Sequence, residues 1–279
     1  MLYTEHRPSP ALRPFIECVW TLCGTLDSPP AQPDRILPDG CMELVFHRGT
    51  PFEREGERQA AAFIVGQMIE PAFVTMSRQV EVLGIRFQPG GAYAFFDSSM
   101  RELANRFFDI QLVAGSSGRE LEEKILNAGS LTSAVQIAMR ELQRRLRPLR
   151  PECWRARELA ASQIREHGNV PIRELAAGAG ISERQLEREF SHFVGLTPKV
   201  FSRILRFQRV FTAMQGDSAW VDVAFECGYY DQSHLISDFR RFSGSTPAAF
   251  DIEWFELGRH FLRSRRMSGF SKTAESGVS

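Results

Sequence analysis

The stretch Leu235-Ile236-Ser237-Asp238-Phe239-Arg240-Arg241-Phe242-Ser243-Gly244-Ser245-Thr246-Pro247-Ala248-Ala249-Phe250 decides the fold, because its pattern is written twice. Leu235, Phe239, Phe242, Gly244, Thr246, Pro247 and Phe250 recur 49 residues earlier as Leu186, Phe190, Phe193, Gly195, Thr197, Pro198 and Phe201. Upstream of a short turn the offset becomes 48, pairing Ala224 with Ala176 and Gly228 with Gly180. One supersecondary unit therefore occurs twice, with a single extra residue in the second turn.

Each copy parses by simple helix rules. Residues 172–177 form a short amphipathic helix ended by Gly178-Ala179-Gly180. Ser182 is a suitable N-cap, and Gln185 three residues on completes a capping box. Leu186, Phe190 and Phe193 at i, i+4 and i+7 bury one face, while Arg184, Gln185, Glu187 and Arg188 lie outward. Gly195 ends that helix, and Thr197-Pro198 opens the next, which runs near Val200–Gln215. In the second copy Val221–Glu226 is the support helix and Cys227-Gly228-Tyr229 the turn. The helix from Asp231 to Phe242 then presents Gln232, Ser233, His234 and Ser237 outward. Helix, tight turn, helix with a polar outer face is the helix-turn-helix plan.

Two such units joined by a long helix resemble the AraC family of bacterial transcription regulators over residues 155–250. The match rests on Ala224, Gly228-Tyr229, Leu235, Phe239, Phe242, Gly244, Thr246-Pro247 and Phe250. In the first unit it rests on Leu175-Ala176, Ile181-Ser182, Leu186, Arg188, Phe190, Gly195 and Thr197-Pro198, with Arg203, Arg206 and Arg209 in the linker. Asp238 and Ser237 depart from the pattern, standing where a basic residue often sits. The resemblance implies sequence-specific DNA binding, with two recognition helices in successive major-groove segments. It also implies an activator that answers a small-molecule effector, contact with RNA polymerase, and a possible homodimer. Arg reads guanine and Gln reads adenine. Arg184, Gln185, Glu187 and Arg188 would lie in one groove segment, and Gln232, Ser233, His234 and Ser237 in the next. Lys199, Arg203, Arg206 and Arg240 are the candidate phosphate contacts. For any single one of these, a solvated helix face is the competing reading.

Composition neither helps nor forbids this. The 279-residue chain balances 34 Lys plus Arg against 34 Asp plus Glu. Residues 1–150 carry 17 basic and 18 acidic side chains, leaving 17 and 16 beyond, so neither half is a basic domain. Locally, residues 182–211 set Arg184, Arg188, Lys199, Arg203, Arg206 and Arg209 against Glu183, Glu187 and Glu189. Residues 228–247 set Arg240 and Arg241 against Asp231 and Asp238. The first unit is thus expected to dominate phosphate binding. No run approaches the ~18 charge-free apolar residues of a membrane span. The start of the chain does not read as a secretory signal, so a cytoplasmic location without membrane contact is the expectation. Cys18, Cys23, Cys41, Cys153 and Cys227 lack metal or redox spacing and read as reduced thiols.

Residues 1–148 read as a separate sensory or regulatory domain. Branched and aromatic runs at 15–22, 42–46, 63–65, 72–76 and 80–87, separated by Pro/Gly turns, predict a small antiparallel barrel or sandwich. Leu131, Val135, Ala138, Leu142 and Leu146 then give one apolar helical face through 130–147, which packs either on its own barrel or on another subunit. Pro148 and Pro151 set the boundary to a helical domain at 152–265, with residues 266–279 as a disordered Ser/Gly-rich tail. Trp254, Phe255, Leu257, Phe261 and Leu262 suggest one more helix. The fold class is α+β: an antiparallel, cupin-like barrel with trailing helices, followed by an all-α domain.

The segments Leu37–Leu44 and Leu83–Gly91 resemble the cupin-like sensory domains that precede AraC-type DNA-binding domains. Cupin enzymes cluster histidines around a metal, yet His47 is the only histidine between residues 7 and 166 and reads as turn-flanking. No metal, cofactor or catalytic set is therefore assigned. Candidate ligand contacts are Arg86, Trp20 and Phe87. Arg86, in an apolar strand, needs an anionic partner, and Glu43 is a stronger candidate than a ligand. Trp20, Phe46, Phe63, Phe73 and Phe87 line a pocket or simply form core. Two alternatives to the regulator stay open: a protein-interaction module built on the duplicated helices, and a cupin-like enzyme with an accessory helical domain.

Overall fold

The computed structural model describes residues 1–28, 32–214 and 219–250. The expected extra helix after Phe250, the C-terminal limit at residue 265 and the tail at 266–279 lie outside these residues.

The N-terminal half is built on two antiparallel sheets. The larger takes β1 (Leu2–His6), β2 (Ile16–Thr25), β4 (Met42–His47), β7 (Ala62–Val65), β9 (Gln79–Phe87) and β10 (Phe107–Asp109) in the order β1-β2-β9-β4-β7-β10. The smaller takes β3 (Asp34–Ile36), β5 (Glu53–Arg54), β6 (Glu57–Arg58) and β8 (Ala72–Thr75) in the order β3-β8-β5-β6. The expected class, antiparallel sheets followed by helices, holds, and the barrel is not closed. Each sheet keeps two unpaired outer strands, so they form an open pair. The strands absent from the sequence reading are two to five residues long, too short for an apolar period to register.

Side-chain alternation gives the larger sheet two different faces. Leu44, Phe46, Leu83, Ile85, Phe87 and Val19 turn one way, into a core closed by α2 (Ile110–Leu126) and α3 (Leu131–Arg145). Cys18, Trp20, Leu22, Val45, Phe63 and Val82 turn the other way, toward the small sheet. Because both faces are covered, β4 and β9 read as nearly continuous apolar runs. Arg48 fastens α2 to the sheet, donating to the carbonyls of Ile125 (2.5 Å) and Ala128 (2.7 Å) while Nε meets Glu81 at 2.7 Å. The α3 stripe expected from the sequence, Val135, Ala138 and Leu142 above all, is buried in this same core. It packs on its own domain.

Pro151 starts the helical half. The short α1 (Met100–Leu103) precedes it, and α4 (Pro151–Arg165) leads to α5 (Ile172–Gly178), α6 (Glu183–Phe193) and α7 (Pro198–Ala213). The second unit is α8 (Trp220–Glu226) and α9 (Gln232–Ser243). The repeated Leu/Phe positions form one core: Leu186, Phe190, Phe193, Phe201, Leu235, Phe239 and Phe242 are all buried. Phe207 on α7 contacts both Phe239 and Phe242 with ring centroids 5.4 Å apart, tying the connecting helix to the second unit.

The two halves meet along residues 34–41. Leu37 belongs to the helical core, and Gln208 on α7 donates to the carbonyl of Pro38 at 2.5 Å. Arg35 donates to the carbonyl of Ser243, at the end of α9, at 2.7 Å.

Arg86 is 2 % exposed and meets Glu43 at 2.8 Å and Asp39 at 3.2 Å, as the sequence argument for a structural carboxylate anticipated. Replacing it by an apolar side chain strands Glu43 in the interior. Arg86→Met should cost about 3–5 kcal/mol in urea unfolding. The double variant Arg86→Met/Glu43→Leu should recover most of that loss. A single variant as stable as wild type would show that the pair does not hold the sheet.

Candidate functional site

Two surfaces stand out: the outer faces of α6 and α9, and a recess between the two sheets.

Side-chain caps start both outer helices. Ser182 Oγ accepts the Gln185 N–H at 3.2 Å, and Asp231 accepts the His234 N–H at 2.8 Å. With Leu186, Phe190 and Phe193 inward, Arg184, Glu187 and Arg188 are exposed and Gln185 is half-buried. Gln185 does not close a capping box. Its amide donates to Glu189 at 2.8 Å, and Glu189 is held in turn by Arg155 of α4 at 2.7 Å. On α9, Ser233, His234 and Ser237 are exposed and Gln232 is half-buried. His234 Nδ1 pairs with Asp231 at 3.0 Å, which orients the ring at the start of the helix.

The phosphate candidates divide. Lys199 and Arg240 are exposed and open to an anion. Arg203 is turned inward, a correction to the sequence reading: its Nε donates to Asp238 Oδ1 at 3.0 Å, and a second ion-pair contact joins Nη2 to the same carboxylate. The substitution of an acid where a basic residue often stands explains this, since Asp238 faces α7 and takes the guanidinium for itself. Arg206 is also committed, donating to the carbonyl of Gly168 at 3.1 Å and lying over the ring of Tyr229. Sequence reasoning missed Tyr230, 86 % exposed beside the Asp231 cap, and Arg241, exposed next to Arg240. Arg241 follows the helical period of α9, whereas Tyr230 precedes the helix and carries no such signal.

The recess lies on the face of the large sheet that looks toward the small one. Along β4 it is lined by Glu43, Val45 and His47, and along β9 by Val82 and Arg86. Trp20, Phe52, Phe63 and Phe107 form apolar walls, and Gln208 reaches in from α7. The recess holds about 860 Å3 of empty space, open solvent at its mouth included. Gly84 sits beneath the Trp20 indole, where a Cβ would collide with the ring. Two of the sequence candidates, Arg86 and Trp20, line the recess. Phe87 does not: one residue out of phase with Arg86, it points into the helix-covered core against Phe95 and Phe96. His47 is corrected too. It is a buried strand residue, 3 % exposed, between Phe52 and Phe63, and its Nε2 meets Gln59 Oε1 at 3.2 Å. Its phase with Glu43 was the available signal. Among the described residues no group of three or more His, Cys, Asp and Glu is placed to hold a metal. Among them, too, no helix is long and apolar enough to cross a membrane.

Residues 175–251 match the family model of a helix-turn-helix domain, and residues 4–109 match a domain of unknown function, DUF6597. The C-terminal domain is an AraC-type helix-turn-helix domain. The chain is 27% identical over 136 residues to the HTH-type transcriptional regulator ArgR of Pseudomonas aeruginosa, covering 48% of this chain and 39% of that protein. It is 33% identical over 69 residues to the HTH-type transcriptional activator RhaS of Klebsiella pneumoniae, covering 24% of this chain and 25% of that one. The matched segments thus span well under half of either regulator. Among solved structures, ToxT of Vibrio cholerae aligns over 88% of this chain and 98% of its own at 9% identity and a TM-score of 0.43. The DNA-binding domain of AdpA, solved with a target DNA, aligns over 41% and 97% at 28% identity and a TM-score of 0.32. Within the matched segment α6 and α9 are the second helices of the two helix-turn-helix units.

Burial depresses His47 to about 4 from its ordinary 6.5, a shift its bond to Gln59 only partly opposes. Between those values the unfolded chain takes up a proton that the folded chain refuses. Stability is therefore complete above pH 6.5 and falls as pH drops toward 4, by up to about 3 kcal/mol. Thermal unfolding of His47→Gln should lose this part of the acid sensitivity; an identical pH profile would remove His47 as its source. For Arg203, Arg203→Ala should lower stability by about 1–3 kcal/mol, because Asp238 loses its partner. The slope of log K against log salt for DNA should not change. Lys199→Ala should instead flatten that slope by about 0.9. A fall of that size for Arg203→Ala would return Arg203 to the phosphate contacts.

Proposed function

We propose that this chain is a sequence-specific DNA-binding transcription regulator, an activator whose affinity for its operator is set by a small molecule in the N-terminal recess. The observation that carries the reading is the pair of capped helices, α6 and α9. Each buries an apolar face in one shared core and leaves polar side chains outward on an AraC-type domain. Arg184 and Arg188 on α6 have the length and fork geometry to read guanine, and Ser233, His234 and Ser237 on α9 supply shorter contacts. Gln185 and Gln232, both half-buried, sit at the inner margin of each surface. Lys199 and Arg240 anchor the phosphates. The two helices enter successive major-groove segments of one duplex, so a single chain reads a bipartite site.

The effector part of the proposal is supported by the recess and by its floor plan. Residues 34–41 both line it, through Ile36, Leu37, Asp39 and Cys41, and hold the helical domain. A regulator rather than an enzyme is the reading these features favour, acting in the cytoplasm where promoter DNA lies. Val221 and Phe225, one helical turn apart on α8, are 57 % and 78 % exposed. This apolar pair supports a protein contact beside the DNA surface, and RNA polymerase is the partner an activator requires. A homodimer through α3 finds no support, because its apolar stripe is already buried.

The test is fluorescence anisotropy with the full chain, using the gene's own upstream region and unrelated DNA at two salt concentrations. Upstream DNA should bind tighter, and both complexes should weaken with salt. Arg188→Ala should weaken the upstream complex by about 1–3 kcal/mol while leaving unrelated DNA little changed. Equal affinity for both probes would sink the sequence-specific reading.

A further inference from the structure

We propose that the N-terminal recess takes a small primary amine with an apolar, ring-sized body, its ammonium at the Asp39–Glu43 end and a hydrogen-bond donor at His47. This rests on the effector reading above and names the chemistry of the molecule.

The lining is graded along the strands. Glu43, Val45 and His47 share one face of β4, so at ~3.3 Å per residue the two polar ends stand about 13 Å apart along the backbone. Strand register sets Arg86 beside Glu43, Gly84 beside Val45 and Val82 beside His47. Trp20 and Phe63 flank the middle rung. The floor therefore runs from charged, through aromatic, to a single imidazole.

At the charged end Arg86 already serves two carboxylates, Glu43 at 2.8 Å and Asp39 at 3.2 Å. One cation against two carboxyls leaves the end with no surplus positive charge, and burial pushes Glu43 up against the pull of Arg86. Glu17 adds a further carboxyl, accepting from the Cys41 thiol at 3.6 Å. Behind the Phe107 wall, Arg54 stacks over that ring at 4.3 Å and pairs with Glu55 at 3.8 Å. A carboxylate ligand would meet acids here, whereas an ammonium would complete the charge balance. Trp20, Phe52, Phe63 and Phe107 supply the apolar contact, and aromatic faces favour a neighbouring cation.

At the far end His47 is neutral, its imidazole held at about 4 by burial. With Nε2 donating to Gln59, Nδ1 is an acceptor, and no donor reaches it. A buried acceptor left unanswered is costly. A hydroxyl or N–H on the far side of the ligand's ring answers it. The amine thus needs donors at both ends and nothing polar between.

Calorimetric titration of the full chain with four matched probes tests the assignment: tyramine, phenethylamine, 4-ethylphenol and 3-(4-hydroxyphenyl)propionate. Tyramine should bind tightest, phenethylamine about fivefold weaker and 4-ethylphenol at least tenfold weaker, with no heat from the propionate. Asp39→Asn, which keeps the Arg86–Glu43 pair, should weaken tyramine at least tenfold, and His47→Phe should erase the difference between tyramine and phenethylamine. The propionate binding as tightly as tyramine would overturn the assignment, as would none of the four binding to folded protein. DNA affinity is measured on the same preparations. Amine binding without DNA binding would leave the recess assigned and bring down the regulator reading alone.

Discussion

Close contact between Gly40 and the ring of Phe201 governs how the two halves of this molecule sit together. A Cβ at residue 40 would come within 2.8 Å of the ring, so a glycine in the left-handed region is what lets the strand-connecting segment reach the helix. Around that contact the Gln208–Pro38 and Arg35–Ser243 hydrogen bonds fall into place, and Leu37 enters the helical core. On the other side of the molecule Tyr93 meets Phe193 edge-to-face, with ring centroids 4.8 Å apart, and Arg150 donates to its hydroxyl. The N-terminal half thereby touches the ends of both outer helices: α6 at Phe193 and α9 at Ser243. In the proposed regulator, the relative setting of these helices on two groove segments depends on this junction.

Duplication supplied two copies of a helix-turn-helix unit, but the copies handle charge differently. Asp238 in the second unit draws Arg203 off the connecting helix, and Glu189 in the first draws Arg155 off α4. Side chains counted as a basic surplus in the linear sequence are thus partly neutralised inside the domain. What remains exposed is Arg173, Arg184, Arg188 and Lys199 in the first unit and Arg240 and Arg241 in the second. The chain as a whole has no net charge, so attraction to a polyanion depends on this local set.

The helical half was legible from the residues because two independent periodicities agree in it: the helical repeat and the internal duplication. Helix limits came within a few residues, and the caps at Ser182 and Asp231 follow directly from residue type. Partners distant in sequence were not legible. Nothing local to Arg203 announces Asp238, 35 residues away, and only folding shows which arginines keep their charge for solvent. In the N-terminal half the longer strands were readable and the division into two open sheets was not, since sheet order depends on non-local pairing. Arg86 with Glu43 could be argued from the cost of an unpaired buried charge. Phe87 misled because aromatic content says nothing of which face a residue takes. Phase relative to Arg86 would have settled it, and the same phase relative to Glu43 would have found His47.

A molecule in the recess changes DNA affinity only to the extent that it binds two arrangements of the chain unequally. Coupling between sites is typically about 1–3 kcal/mol, the size of one hydrogen bond to a charged group. The junction already contains contacts of that size and places them where they can respond. Asp39 lies in the recess, one residue from Pro38, whose carbonyl holds α7, and four from Arg35, whose guanidinium holds the end of α9. A ligand that draws the Asp39 carboxylate toward itself pulls on both fastenings through a few backbone bonds. No long chain of intermediates is needed. Under the amine proposal the short path gives the buried ion pair a role: Arg86 would fix Asp39 in one place until another cation competes for it.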